Sequence, residues 1–467
     1  MSSPGLVRTL RIRSRRKAGG LGILTTALGD AGASIGEIHT LRIGHNYTLR
    51  DFHLLLDDEE HLAHVLAAIK DLRDSEIVEV KDTVKELHLG GKIRTRSRVD
   101  LTGLSTLSAA YLPGVREIVA AIEDDLALTD VFTSVHRTVA IVSDGSGLVG
   151  LGKVDPRAMI PMIEGKAMLL ARLAGLCALP LSLDVESEDQ LVDTVVALAP
   201  SYGAVLLDSI AAPRGSRCAQ KIAERLKMPV YHDDADSPAI VGLAAVINAC
   251  HRAQLDMTKV SIGQIGLGTA GGAIARLVMK HIGRPVMGDD VHPAAVSRHV
   301  SAGGTAALID DIMATADVVV ANTGHARVIA PSQVREGQVI IALSEPHPEI
   351  EPYDAQLAGA AFAADGKAIS SAAAVPGVLL GALAVKANAI SDEMRIAAAV
   401  TMAGVAQEDD LVPTPLDEGL HAKVAAAVAL AAVRAGQTRA TVDERALTAA
   451  IFEQIIRDER QLPLTSS

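Results

Sequence analysis

Lys259-Val260-Ser261-Ile262-Gly263-Gln264-Ile265-Gly266-Leu267-Gly268-Thr269-Ala270-Gly271 passes from an apolar alternation straight into a glycine-rich turn. Val260, Ile262 and Ile265 mark a buried strand, and Ala273, Ile274, Leu277 and Val278 then recur at helical spacing up to His281. A dinucleotide site needs this order of strand, turn and helix. The first glycine makes the tight turn, the second lets the backbone approach a pyrophosphate, and the third lets helix pack on strand. The helix start adds unpaired N–H groups and a positive dipole end. A second strand, Pro285-Val286-Met287, leads to Asp289 and Asp290. These acids lie close to the separation of about 20 residues at which a carboxylate meets the adenosine ribose. Gly266, Gly268, Thr269, Ala270, Gly271, Asp289 and Asp290 are therefore the candidate cofactor residues, with Asn322 beside them after the apolar run that starts at Ala316. The acids predict NAD over NADP, since a carboxylate accepts from ribose hydroxyls and repels a 2′-phosphate.

The chain has 467 residues, too many for one core, and a net charge of −12 that argues against nucleic acid as a partner. Trp is absent and Phe and Tyr are scarce, so platforms for stacking bases are not expected. Cys177, Cys218 and Cys250 are odd in number and widely spaced, which indicates neither a disulfide framework nor a Cys-x-x-Cys metal site and fits a reduced cytoplasm. The Arg-rich start lacks the apolar run of a signal peptide. Ala368 to Val385 is uncharged but broken by Pro376-Gly377, and reads as a buried segment, not a membrane span.

Before the glycine turn, Leu6 to Ile12, Ile35 to Ile43, Leu49 to Leu56 and Ile77 to Val84 read as strands, with helices at Ile23 to Ala31 and His61 to Leu72. That βαββαβ order, within about 85 residues, is ferredoxin-like. This part resembles an ACT domain, which implies a module that pairs with a copy of itself and holds an amino-acid effector. Lys17-Ala18 stands in the turn where proline is usual, so a purely structural dimerisation role is the alternative.

A second resemblance covers nearly all of the chain except its last helices. Thr106 to Val115, Thr138 to Gly145, Gly150-Leu151-Gly152, Pro161 to Ala167, Ala212-Pro213-Arg214, Pro229 to Asp234, the glycine turn and Pro346 to Ile350 follow one another as in the malic enzymes, in the bacterial form with an N-terminal ACT domain. The resemblance implies an α/β protein. Its parts would be an ACT-like regulatory domain (1–92), a malic-enzyme-like catalytic domain (93–236), a Rossmann-type doubly wound NAD-binding domain (237–390) and C-terminal helices (391–467). It also implies a homodimer or higher homo-oligomer.

By the same resemblance, Lys166 takes the proton from the substrate hydroxyl, Tyr111 protonates the enolate, and Asp233 pairs with the lysine. Met162, Ala167, Met168 and Leu169 offer an apolar setting that would lower the lysine's pKa, against which Asp233 would raise it. The family's Mg or Mn sits on three carboxylates. Asp234 matches one and Asp208 stands for a Glu. Ser209 stands where another Asp is usual, leaving a weakened or lost metal site. Asp233 and Asp234 could also simply cap the helix that follows. Glu345, Ser370 and Ser371 stand at substrate positions where the family has asparagine, with Arg214 or Lys367 as compensating cations.

The leading expectation is NAD-dependent oxidation, with decarboxylation, of malate or a related 2-hydroxy acid. Two rivals stand beside it: a catalytically weak ligand-sensing paralogue, and a hydroxy-acid dehydrogenase that does not decarboxylate.

Overall fold

The computed structural model describes residues 5–148, 150–345, 347–407, 410–438 and 451. It divides into two compact units, Met1–Thr95 and Arg96–Ser467. No helix of the described residues is long and apolar enough to cross a membrane.

In the first unit, β1 (Leu6–Arg15), α1 (Gly20–Asp30), β2 (Ser34–Ile43), β3 (Tyr47–Leu56), α2 (Glu59–Lys70) and β4 (Ser75–Lys81) form an antiparallel sheet in the order β2-β3-β1-β4. This is the ferredoxin-like arrangement that the βαββαβ order predicts. Alternation along the strands sends Leu10, Ile12, Phe52 and Leu54 into a core with Leu24, Leu28, Val65 and Ile69 of the two helices. The expected fourth strand stops short, because Asp82 caps a short helix α3 (Thr83–His88) that takes up Val84.

The second unit begins with α4 (Leu104–Ala110), α5 (Val115–Asp124) and α6 (Thr129–Phe132), none of which has a buried residue. A parallel sheet follows, built from β5 (Thr138–Ser143), α7 (Ile160–Ala174), β6 (Cys177–Ser182), α8 (Glu188–Leu198), β7 (Ala204–Leu207), α9 (Arg214–Arg225) and β8 (Val230–His232). Its strand order is β6-β5-β7-β8. The order reverses direction at β5, and ligands in such sheets bind outside the carboxyl ends of the strands at that reversal.

The long helix α10 (Asp233–Arg252) leads to the second parallel sheet. Ser237-Pro238, a hydroxyl before a proline, predicts a helix start there, but the fold overtakes it. Asp233, Asp234 and Asp236 occupy the first turn, where the dipole favours negative charge, and Asp236 accepts the backbone N–H of His232 at 3.0 Å. The helix therefore opens four residues earlier.

The second sheet contains β9 (Ile262–Ile265), α11 (Thr269–Ile282), β10 (Met287–Asp289), α12 (Pro293–Ser301), β11 (Thr305–Ala306), α13 (Ile309–Thr315), β12 (Val318–Ala321), β13 (Val339–Ala342), α14 (Pro352–Leu357) and β14 (Phe362–Asp365). All six strands are parallel, in the order β11-β10-β9-β12-β13-β14, the doubly wound dinucleotide-binding topology with its switch point between β9 and β12.

The last elements, α15 (Val375–Ala384), α16 (Asp392–Val405) and α17 (Leu420–Arg434), pack against one another, and α16 also packs on α10. Arg395 ties α16 to α10 through Asp236 at 2.8 Å, and Arg276 of α11 reaches Asp392 at 2.6 Å. These helices cover the core, as their apolar spacing predicts. Apolar spacing predicts a further helix at Arg445 to Arg457, of which only Ile451 is among the described residues, and it is helical.

Candidate active site

Asp144, Asp208 and Asp233 each follow directly on the carboxyl end of a strand, β5, β7 and β8 respectively. Chain topology thus collects three acids at one edge of the first sheet. Lys166 approaches them from α7, whose apolar positions Ile163, Ala167, Leu170 and Ala174 are buried and fix the helix against the sheet. Its ammonium bonds the carboxylate of Asp233 and lies 3.3 Å from Asp208 Oδ2. All three side chains are largely buried, with 15%, 9% and 2% exposure for Lys166, Asp233 and Asp208. Ser237 donates to Asp233 Oδ1 at 2.5 Å and shares a hydrogen bond of 2.8 Å with Tyr231, so Asp233 is held from both sides.

The electrostatics differ from the sequence expectation. Burial is the largest single influence on Lys166 and pulls its pKa down, but the charges and hydrogen bonds of Asp233 and Asp208 together outweigh it and hold the ammonium above its ordinary range. Met162 and Met168 are 45% and 38% exposed and do not supply the apolar wall. Burial pushes Asp208 up, against the pull of Lys166, and Asp233 and Asp234 add to the rise.

The donor set for a divalent metal is tested by its loose ends. Asp208 Oδ2 meets the Lys166 ammonium at 3.3 Å but lacks a full hydrogen bond, and Asp234 Oδ2 is buried with neither a hydrogen bond nor a lysine or arginine beside it among the described residues, an arrangement costly to a carboxylate unless a cation completes it. Hard carboxylate oxygens suit Mg or Mn, which keep waters and substrate oxygens in their remaining positions. Asp208 and Asp234 therefore fit such an ion, as a site of two acids. Among the described residues, Asp208, Asp233 and Asp234 do not bring one oxygen each within 4.8 Å of one another. Ser209 cannot add a charge. Its hydroxyl donates to Asp208 Oδ1 at 3.1 Å, from a backbone in the left-handed region with φ of 54°. Aspartate tolerates that conformation better than most residues. Ser209→Asp should therefore fold normally and tighten Mn binding on the order of tenfold by raising the ligand charge, as read by titration.

The other assigned residues are dispersed. Tyr111 caps the end of α4, is 64% exposed, and makes no side-chain hydrogen bond among the described residues. Glu345 is exposed, its Cγ beside Gly366 in the turn that carries Lys367. Ser370 and Ser371 are exposed at a short 3-10 turn, Ser371–Ala373, packed against α10. Arg214 is already paired, 3.2 Å from Asp144 and 3.2 Å from the carbonyl of Ser187.

In the glycine turn, each glycine has its own reason. Gly266 has φ of +88°, and a Cβ there would meet the Asn322 carbonyl at 2.2 Å; a Cβ on Gly271 would meet the Gly266 carbonyl at 2.1 Å. Gly268 faces nothing within 4 Å, so no protein packing demands it and the space is left to a ligand. Thr269 and Ala270 open α11, and Asn322 donates its backbone N–H to Ile265.

Asp290 is spent on the turn, accepting from the N–H groups of Leu267 at 2.7 Å and His292 at 2.8 Å. Asp289 accepts from Ile309 N–H through Oδ2, and its Oδ1 has no hydrogen-bond partner among the described residues. Asp289 is therefore the acid with an oxygen to offer a ribose. NAD should bind more tightly than NADP by on the order of tenfold or more, because Asp289 would repel a 2′-phosphate, and Asp289→Ser should erode that margin in calorimetry.

Two features escaped the sequence reading. Asp144 carried a signal, since it ends its strand just as Asp208 and Asp233 end theirs. Glu349 is wholly buried and accepts from Thr323 N–H at 2.6 Å, Thr323 Oγ1 at 2.8 Å and the Ser344 hydroxyl, bracing the loops after β12 and β13. Nothing in its local sequence marks a carboxylate for full burial.

Residues 95–197 match the family model described as malic enzyme, N-terminal domain. The chain is 40% identical over 437 residues to the NAD-dependent malic enzyme 1 of Bacillus subtilis, covering 93% of this chain and 100% of that protein. It is 30% identical to the NAD-dependent malic enzyme of Geobacillus stearothermophilus, covering 92% and 95%. Among solved structures it resembles a malic enzyme from Pyrococcus horikoshii (TM-score 0.75, 29% identity, 81% of this chain and 97% of that one). An NAD-dependent malic enzyme from Thermotoga maritima is similar as well (TM-score 0.69, 30% identity, 74% and 98%).

Proposed function

The chain belongs to the malic enzyme family, and on that premise we propose that it oxidises malate with NAD and releases carbon dioxide. The observation that carries the reading is the buried Lys166, held between Asp208 and Asp233 at the carboxyl ends of one parallel sheet, in the same unit as a glycine turn built for a dinucleotide. A pure binding module has no need of a buried lysine with two acids around it.

In this reading Lys166 takes the 2-hydroxyl proton of malate as C2 is oxidised to the ketone, and NAD held at the glycine turn would supply the hydride acceptor. Cleavage of the bond between C3 and its carboxylate then leaves an enolate, which Tyr111 protonates at C3. A divalent ion on Asp208 and Asp234 would supply Lewis-acid polarisation of the substrate oxygen and stabilise the enolate charge. Lys166 can accept a proton only when the pull of Asp208 and Asp233 is offset, so Asp233 serves as its positioning partner and not as the base.

The domain limits at 92, 236 and 390, and an amino-acid effector on the ferredoxin-like unit in the manner of an ACT domain, belong to the same proposal. A second copy of the chain is the partner it names. The exposed apolar side chains of the first helices support that, with Leu104, Val119 and Val131 at 82%, 60% and 67% exposure.

The test is malate-dependent reduction of NAD with Mn present. Turnover at ordinary enzyme rates with a micromolar to millimolar KM supports the reading. Absence of turnover on malate, with activity on another 2-hydroxy acid, would transfer it to that acid. Returning Glu345, Ser370 and Ser371 to asparagine should lower KM for malate, because Glu345 would lose its repulsion of the dicarboxylate.

A further inference from the structure

The sheet of the ferredoxin-like unit has one face under α1 and α2 and one face without them. On β3, Phe52 and Leu54 point into the core, which turns Asp51 and His53 to the open side. The pairing of β2 with β3 is interrupted there. Ile35 stands opposite Leu54 and Ile38 opposite Phe52, so two residues, Gly36 and Glu37, face the single residue His53. This is a β-bulge, a device that re-aims a side chain. Past it, His39 pairs with Asp51, which puts Glu37, His39 and His53 on one face.

Among the described residues these three form a group able to offer one ligand atom each, with all the atoms within 4.8 Å of one another. Glu37 Oε2 already lies 2.8 Å from His39 Nε2, and the two imidazoles stand edge to face with centroids 5.5 Å apart. We propose that Glu37, His39 and His53 bind a divalent transition-metal ion of the zinc, cobalt or nickel class, at a site separate from the catalytic carboxylates.

Three further observations bear on it. His53 is oriented from behind: its Nδ1 is 2.8 Å from Thr9 Oγ1, which is itself buried and 2.6 Å from Thr83 Oγ1 at the start of α3. With Thr9 donating to Thr83 and accepting from Nδ1–H, the ring is held in place and the Nε2 lone pair is left for a metal. The neighbouring acid is not available as a rival ligand, because Asp51 is engaged bidentately by Arg11 at 2.8 and 2.9 Å. The distances also suit the ion. Metal–ligand bonds of about 2.0–2.1 Å in a tetrahedron place donors about 3.3 Å apart, which small rotations of the exposed Glu37 and His39 achieve. Two imidazoles among three donors select this class of ion over Mg or Ca. The remaining position is open to water.

Bound there, the ion clamps edge strand β2 to β3 where the bulge interrupts their ladder. The experiment is a visible-absorption titration of the metal-free full-length chain with Co²⁺, in excess Mg²⁺ to keep the Asp208–Asp234 site occupied. Wild type should take up one equivalent with the ligand-field bands of nitrogen and oxygen donors. His39→Ala and His53→Ala should each weaken that uptake at least about tenfold, and Glu37→Gln should weaken it too. Glu37 and His39 are exposed and His53 is half-buried, and circular dichroism checks that the fold is unchanged. Uptake of equal stoichiometry and affinity in both histidine variants would overturn the proposal, as would a thiolate charge-transfer band that assigns the ion to cysteine. Both outcomes are independent of malate turnover, so this site and the catalytic reading fail separately.

Discussion

Lys166→Ala should lose a factor on the order of 10²–10⁴ in kcat while NAD affinity stays nearly constant, because in the proposed mechanism the side chain handles the substrate proton and the nucleotide is assigned to the other parallel sheet. Tyr111→Phe should behave in the same way, and at 64% exposure it carries no risk to the fold. Lysine removal needs a control. It leaves Asp208 and Asp233 buried without their cation, and breaking a buried pair from one side costs on the order of 3–5 kcal/mol. Lys166→Gln, which keeps a hydrogen-bond donor near Asp233, separates lost chemistry from lost stability through a thermal melt run beside the assay. A fall of less than tenfold in both the lysine and the tyrosine variants would remove the assigned roles.

Gly266→Ala and Gly268→Ala should part company, although only one residue lies between them. At Gly266 the left-handed backbone alone costs a side chain roughly 1–3 kcal/mol, and the added Cβ would sit 2.2 Å from the Asn322 carbonyl. The strand and the loop after β12 must separate to admit it, so stability and NAD binding fall together. At Gly268, φ is −63° and a Cβ touches nothing within 4 Å, so the alanine variant should melt like wild type. Its methyl group would instead stand where the pyrophosphate approaches, and NAD affinity should drop on the order of tenfold or more in calorimetry. Wild-type NAD affinity in Gly268→Ala would mean that the dinucleotide does not lie across this turn. A melting temperature for Gly266→Ala equal to wild type would contradict the packing described.

The sequence by itself determined what is local and periodic. Val260, Ile262 and Ile265 announced a strand, the three glycines announced the turn, and the alternation from Leu6 to Leu56 announced a sheet with one buried face, because side-chain period and backbone freedom are properties of consecutive residues. Motif order also located Lys166, Asp208, Asp233 and Asp234 on the chain. Tertiary structure decided everything that depends on distance in space. Asp233 reaches Lys166 across 67 residues of chain, and the balance between burial and two carboxylates that keeps the ammonium charged exists only once β7, β8 and α7 are assembled. Asp289 and Asp290 read alike as neighbours, yet folding spends one on the Leu267 N–H and leaves an oxygen of the other without a protein partner. A bulge of one residue in β2 likewise turns Glu37 toward two histidines that no spacing rule would group. Electrostatic and steric terms fall off within a few ångströms, and only the fold sets which groups stand that close.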